Sequence, residues 1–270
     1  MKKSLFIVCL CALLGTQTRA ENNIFNHLGV GFELGTTGIG WEVAAPITDW
    51  VQVRAGMAIM PSFKVKNIGV KVNVTNEQWQ ALEQEVVGHE VEKPTDVKID
   101  GKITKTDFKL LFDFFPIKTS SFHITAGFYA GKSQLLEVYT TNNQEAMSAI
   151  TKYNEDDAMV QQYGIIGAQL GDFMLTPNGE QIKGFVKVKG FKPYLGIGFG
   201  RAVPKKTRLA FAMDMGVQFW STPKFFVEQN TGQVELEKKD VGNSDGGFVK
   251  VMSKIKVYPC LNFRLTGRIF

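Results

Sequence analysis

The residues that could carry chemistry are few and scattered. The 270-residue chain has three histidines, His27, His89 and His123, and they share no metal-ligand spacing. His123 stands two residues before Thr125, close to an expected turn, and a structural hydrogen bond is expected of it. Gly196, Gly198 and Gly200 alternate with apolar residues and do not open a helix, as a phosphate-cradling loop must. Glu155, Asp156 and Asp157 cluster, as do Asn243, Asp245 and Gly246, but neither group follows the order of a calcium-binding loop. The sequence therefore points to no catalytic constellation, no cofactor and no metal, and an enzyme is not expected.

A second set of charged residues does form a pattern. Glu33, Glu42, Asp107, Asp113 and Asp214, with Arg54, Lys109, Lys192, Arg208, Arg264 and Arg268, take alternate positions in segments whose other positions are apolar. Leu28, Val30, Phe32 and Leu34 alternate with Gly29, Gly31, Glu33 and Gly35, the two-residue period of a strand with unlike faces. The same pattern returns over 39–45, 51–59, 107–114, 122–131, 191–200, 208–219 and 261–269, and the apolar face carries no charge in any of the eight. No later stretch is long and apolar enough to span a bilayer as a helix, so a mature chain that enters a membrane must do so as a closed sheet. The expectation is an all-β, transmembrane, antiparallel up-and-down barrel of eight strands. The apolar stretch Tyr163 to Leu175 leaves ten as the alternative.

The links between segments fit this topology. Three are short and begin with proline, at Pro46, Pro116 and Pro204, as periplasmic turns would. Apart from a minimal link near Thr36 to Gly38, the others are long, at roughly 62–104, 134–190 and 220–257, and are expected to be extracellular. Within them Asn76 to Glu90 reads as a short helix and Pro177-Asn178-Gly179 as a hairpin turn joining two strand extensions. Trp50, Trp220 and Tyr258 fall at strand ends, where aromatic girdles sit. A soluble barrel also alternates, but here the second face is Gly, Ala and a few charges, poor material for a solvated exterior and good material for a crowded lumen. Its charges nearly cancel, so the interior is expected to be a paired plug; a narrow ion path is the alternative.

Residues 1–20 place two lysines before an apolar run and end on Thr18-Arg19-Ala20, the form of a cleaved secretory signal. Its removal leaves one domain, 21–270, takes away Cys9 and Cys11, and lowers the formal net charge from +5 to +2. Only Cys260 then remains, no intramolecular disulfide is possible, and a nucleic-acid partner loses its main support.

The signal, the alternating segments, the proline turns, the phrases 35–40 and 191–201 and the aromatic end Phe270 resemble the small outer-membrane β-barrel proteins of Gram-negative bacteria of the OmpA/OmpX type. The resemblance implies residence in the cell outer membrane, contact with its lipid and lipopolysaccharide, and Phe270 as part of the signal read by the barrel-assembly machinery. The apolar residues of the last segment are odd-numbered, out of phase with Phe270. The function expected is structural or binding, through the three long loops. A small channel or carrier is the alternative, and a lipid-modifying enzyme the third reading.

Overall fold

The computed structural model describes residues 27–170, 173–205, 207–229, 232–236 and 256–269. The signal segment, Phe270 and the stretch from Asn243 to Gly246 lie outside them. In chain order the strands are β1 (Gly29–Gly35), β2 (Gly38–Pro46), β3 (Val51–Asn73), β4 (Asp96–Phe114), β5 (Phe122–Gly131), β6 (Gln134–Thr140) and β7 (Gly167–Leu170). They continue with β8 (Phe173–Leu175), β9 (Lys183–Lys187), β10 (Phe191–Phe199), β11 (Leu209–Phe219), β12 (Lys224–Gln229), β13 (Gly232–Glu235) and β14 (Val257–Arg268). Helices α1 (Asn76–Ala81), α2 (Gln144–Glu155) and α3 (Asp157–Tyr163) join them, and a π-helical turn, Leu82–Val87, continues α1.

Eight strands close on themselves in the order β1, β2, β3, β4, β5, β10, β11, β14, with every pairing antiparallel, β14 against β1 included. Closure leaves no free edge and gives each ladder amide a partner. Period two then sorts the side chains into an inner and an outer set. In β10 exposed and buried residues alternate without a break, and the exposed set includes Trp41 (52%), Phe263 (55%) and Phe211 (82%).

The register puts large interior groups opposite small ones. Glu42 sits between Gly31 and Gly56, Glu33 faces Gly40, and both His123 and Asp214 face Gly198. A Cβ on Gly198 would lie 2.4 Å from both His123 Nε2 and Asp214 Oδ1, and one on Gly40 2.6 Å from Glu33 Oε1. The interior glycines are the space that the charged side chains occupy.

The segments expected as loops are folded, which corrects the sequence reading. Beyond Ile59, where β2 stops, the outer halves of β3 and β4 continue as a pair. β6, β9, β12 and β13 extend that pair on one side, and β7 and β8 on the other. The helices cover one face of this second sheet. Trp79, Leu82, Met147, Ile150, Tyr153 and Ile166 pack there on Val97, Ile99 and Val227, a core separate from the ring. Burying each large apolar side chain contributes about 1.5–3 kcal/mol, so this cap can hold its own shape. Its first helix has a capping box: Thr75 Oγ1 accepts from Gln78 N–H at 3.1 Å, and Gln78 Oε1 from Thr75 N–H at 2.8 Å. The π-turn stops at Gly88, whose φ of 72° is left-handed.

One alternative falls away and one finer expectation is corrected. Tyr163 to Leu175 adds no strand to the ring; β7 and β8 pair with each other at the edge of the cap sheet, so the ring holds eight strands and not ten. The turn at Asn178 closes only a bridge to Gln181 and joins no hairpin, because β8 pairs with β7 while β9 pairs with β6 and β12.

Candidate functional site

Arg54 lies at the middle of the ring interior. Its Nη2 donates to Asp113 Oδ1 at 2.8 Å, and its Nη1 meets Asp214 Oδ2 at 3.1 Å and Glu42 Oε2 at 3.4 Å. Those carboxylates come from β4, β11 and β2, so one guanidinium from β3 ties together walls on opposite sides. Arg264 repeats the arrangement from β14, with Nη1 on Glu42 Oε1 at 2.8 Å and Nε 2.5 Å from Asp214 Oδ2. Lys109 Nζ bridges Glu33 Oε2 at 2.5 Å and Glu42 Oε2 at 2.6 Å. His123 Nε2 pairs with Asp214 Oδ1 at 2.8 Å, and Thr125 Oγ1 donates to Asp113 Oδ1 at 2.8 Å.

The interior is occupied toward both ends. On the cap side Asp107 takes Lys192 Nζ at 2.6 Å and Lys105 Nζ at 3.2 Å, and Lys105 also donates to Gln218 Oε1 at 2.8 Å. Trp220 and Tyr258 stack at 4.7 Å, with the Lys105 ammonium over both rings. At the opposite end Gln52 bonds the backbone of Ala202 and Val203, and Arg201 lies 4.0 Å over Phe115, which itself packs on His123. Between these layers the rings of Tyr129 and Tyr194 meet edge-on at 5.5 Å beside Leu111 and Cys260.

Nine of the eleven charged residues singled out from the sequence meet inside the ring: Glu33, Glu42, Arg54, Asp107, Lys109, Asp113, Lys192, Asp214 and Arg264, all buried. Arg208 is a correction. It precedes β11 and is exposed, because the alternation runs one residue past the strand. Arg268 is the other: it is half-buried at the rim, where its Nη1 donates to the carbonyls of Pro204 and Lys205. Lys105 was missed. It shares the phase of Asp107 and Lys109, but Thr104 and Thr106 beside it break the apolar pattern that marks the segment. Trp220 and Tyr258 also differ from expectation: in phase with Gln218 and Cys260, they close the interior instead of joining an outer girdle. With these changes the ion-pair network across the ring joins five carboxylates, Glu33, Glu42, Asp107, Asp113 and Asp214, to five cations, Arg54, Lys105, Lys109, Lys192 and Arg264, while the buried Arg201 stands outside it on the carbonyls of Lys118 and Ser120.

Chemically this cluster is paired but not saturated: among the described residues Glu33 Oε1, Arg54 Nε, Asp107 Oδ2, Asp113 Oδ2, Gln218 Nε2 and Arg264 Nε are buried without a hydrogen-bond partner. Each carboxylate is held by cations, and Lys109 (0% exposed) and Arg54 (1%) have no surface to offer a solute. Removing one member strands its partners, which is costly even though a complete buried network contributes little net stability. In the cap, Tyr153 Oη donates to Gly164 O at 3.1 Å, and burial pushes its phenol above the ordinary range. Asp156 caps α3 by accepting from Ala158 and Met159 N–H, so that acidic group has a structural use. Among the described residues no three His, Cys, Asp or Glu side chains are grouped to hold a metal ion, and no helix is long and apolar enough to cross a membrane.

No family model matches the sequence, and no curated protein matches it. Among solved structures the chain is similar to CarO2 of Acinetobacter baumannii, at 16% identity and a TM-score of 0.46 over 92% of this chain and 100% of that one. It is similar also to CarO of Acinetobacter baumannii, at 13% identity and a TM-score of 0.45 over 88% of this chain and 96% of that one. A major outer membrane protein from Thermus thermophilus shares 13% identity at a TM-score of 0.32, over 90% of this chain and 98% of that one. These are loose likenesses of chain path.

Proposed function

We propose that the chain is an outer-membrane β-barrel whose filled interior makes it a rigid, non-catalytic scaffold for a folded cap outside the cell, and that the cap carries recognition. The observation that carries this reading is Arg54 bridging Glu42, Asp113 and Asp214 across the ring. An interior cross-braced by paired charges leaves no ion path, and carboxylates bound in this way serve no substrate. The apolar outer face supports the membrane setting, since a soluble protein has no use for so continuous an exposed patch. The gathering of the long connections at one end of the ring supports an extracellular cap, with the short turns facing the periplasm.

The reading is tested on protein refolded into lipid vesicles and treated with trypsin from outside. The expected product is a membrane-protected set of ring strands that migrates anomalously on gels until boiled, with the cap removed. Complete digestion of the ring would contradict membrane residence. On cells, a variant with short turns in place of 61–104, 133–189 and 221–255 is expected to keep its barrel but lose binding to surfaces or partner proteins; unchanged binding would remove the cap from the account.

A further inference from the structure

One turn of the cap holds the groups for a reaction that needs no partner but water. Asn178-Gly179 is the only Asn-Gly pair in the sequence. Gly179 is exposed, at the first central position of the two-residue turn that closes between Asn178 and Gln181, with a φ of 63°. Nothing stands within 4 Å of the place its Cβ would take. Among the described residues, neither the Gly179 N–H nor the side-chain amide of Asn178 makes a hydrogen bond. The backbone nitrogen and the side-chain carbonyl carbon that close a succinimide ring are both uncommitted, and glycine puts no side chain over them.

The fold blocks the same chemistry at comparable positions. Asp100-Gly101 also places glycine after a side-chain carbonyl, but Asp100 is buried and its Oδ1 accepts from Asn67 N–H at 3.0 Å. Gly101 is paired on both sides, to β3 and to β6, so its nitrogen is fixed within a ladder. Asn154 lies in α2 with both side-chain atoms engaged: Nδ2 donates to Ile166 O at 2.8 Å and Oδ1 accepts from Ile166 N–H at 3.0 Å. Only the turn at Asn178 combines a free amide, a free backbone nitrogen and open space among these three.

We propose that Asn178 is a self-modification site, deamidated by the nitrogen of its own turn. The Gly179 nitrogen attacks Asn178 Cγ; the new C–N bond closes the succinimide as the Cγ–Nδ2 bond breaks, and the proton of the Gly179 nitrogen leaves with the amide as ammonia. Water then opens the ring. Attack at Cγ gives aspartate at 178, and attack at the backbone carbonyl carbon leaves the chain running through Cγ as an isoaspartyl link. Nothing is oxidised or reduced, and each product carries one new negative charge. The turn borders an open cavity of ≈ 470 Å³ lined by Asn178, Glu180, Gln181, Lys183 and Glu228, where Lys183 Nζ pairs with Glu228 Oε2 at 3.2 Å. Either product sets a third carboxylate beside that one ammonium. The isoaspartyl form also adds a methylene to the main chain, against the bonds that hold the turn, from Asn178 N–H to Gln181 O and from Thr151 Oγ1 to Gly179 O, each 2.9 Å. The cap thus passes with time from one charge form to another at a fixed place.

The full chain, refolded in detergent micelles, is held in neutral buffer for several weeks, sampled, and digested with trypsin in heavy-oxygen water, which marks any product formed during handling. The tryptic segment 153–183 should gain about one mass unit, as amide becomes carboxylate. Fragmentation should place the gain on residue 178 ahead of Asn154, and isoaspartyl methyltransferase should label the same segment. The reaction should speed up in alkaline buffer, disappear in Asn178→Gln, and slow at least about tenfold in Gly179→Ala, whose methyl group covers the nitrogen. No gain at 178, a gain found only with heavy oxygen, or Gly179→Ala reacting as fast as the unsubstituted chain overturns the proposal. Labelling at Asp100-Gly101 equal to that at 178 does so too, since the fold would then not select the site. Asn178→Gln leaves the turn glycine in place and decides the matter should Gly179→Ala fail to fold, continued gain at 178 counting against the proposal.

Discussion

At the scale of single residues the interior is a set of mutual dependences. Arg54 serves three carboxylates, so Arg54→Met leaves Glu42, Asp113 and Asp214 to share Arg264, Lys109 and His123. Breaking a buried pair by removing one partner costs about 3–5 kcal/mol. The expected result is a fall of that order in the unfolding free energy in lipid vesicles, followed by tryptophan fluorescence in urea; a loss within measurement error would mean that the guanidinium is dispensable. The glycines are the complementary test. Gly198→Ala puts a methyl carbon 2.4 Å from His123 Nε2 and should cost about 1–3 kcal/mol by overpacking. Gly69→Ala, on the exposed stretch of β3 with nothing within 4 Å of the new carbon, should change stability by no more than about 0.5 kcal/mol. Equal effects at the two positions would contradict a filled interior.

At the scale of elements, ring and cap are stabilised by different forces. The ring closes by hydrogen bonds and balances its charges inside, while the cap packs helices on a sheet. Trp79→Ala removes the largest side chain of the cap core and the bond from its Nε1–H to Val91 O at 3.2 Å, a cost of about 3–5 kcal/mol that should fall on the cap alone. Limited proteolysis should then cut α1, α2 and α3 readily while the ring keeps its unboiled gel mobility; concerted loss of both would show that they fold as one unit. This division also explains what could be read from sequence. The ring strands show themselves because one face of each is continuously apolar, from Leu209 to Phe219 for example. The cap strands do not, because bulges after Met60 and Val65 shift the phase of β3, and because β6, β9 and β12 find partners far away in sequence. Arg208 was misplaced for the converse reason: alternation runs past the point at which hydrogen bonding begins.

For the whole molecule, the network that pairs five carboxylates with five cations across the ring is the feature that decides between scaffold and channel. The sequence predicted near-cancellation from alternation alone, yet it could not pair Arg54 with Asp214 or find Lys105 under Trp220 and Tyr258, since those contacts depend on ring closure and shear. A braced interior predicts a closed molecule, and single-channel recording of the full chain in a planar bilayer tests that most directly. The unsubstituted protein should show no sustained conductance at any moderate voltage, with at most brief events when Arg54 and Arg264 are both replaced by serine. Stable, unitary openings of the unsubstituted protein would contradict the account.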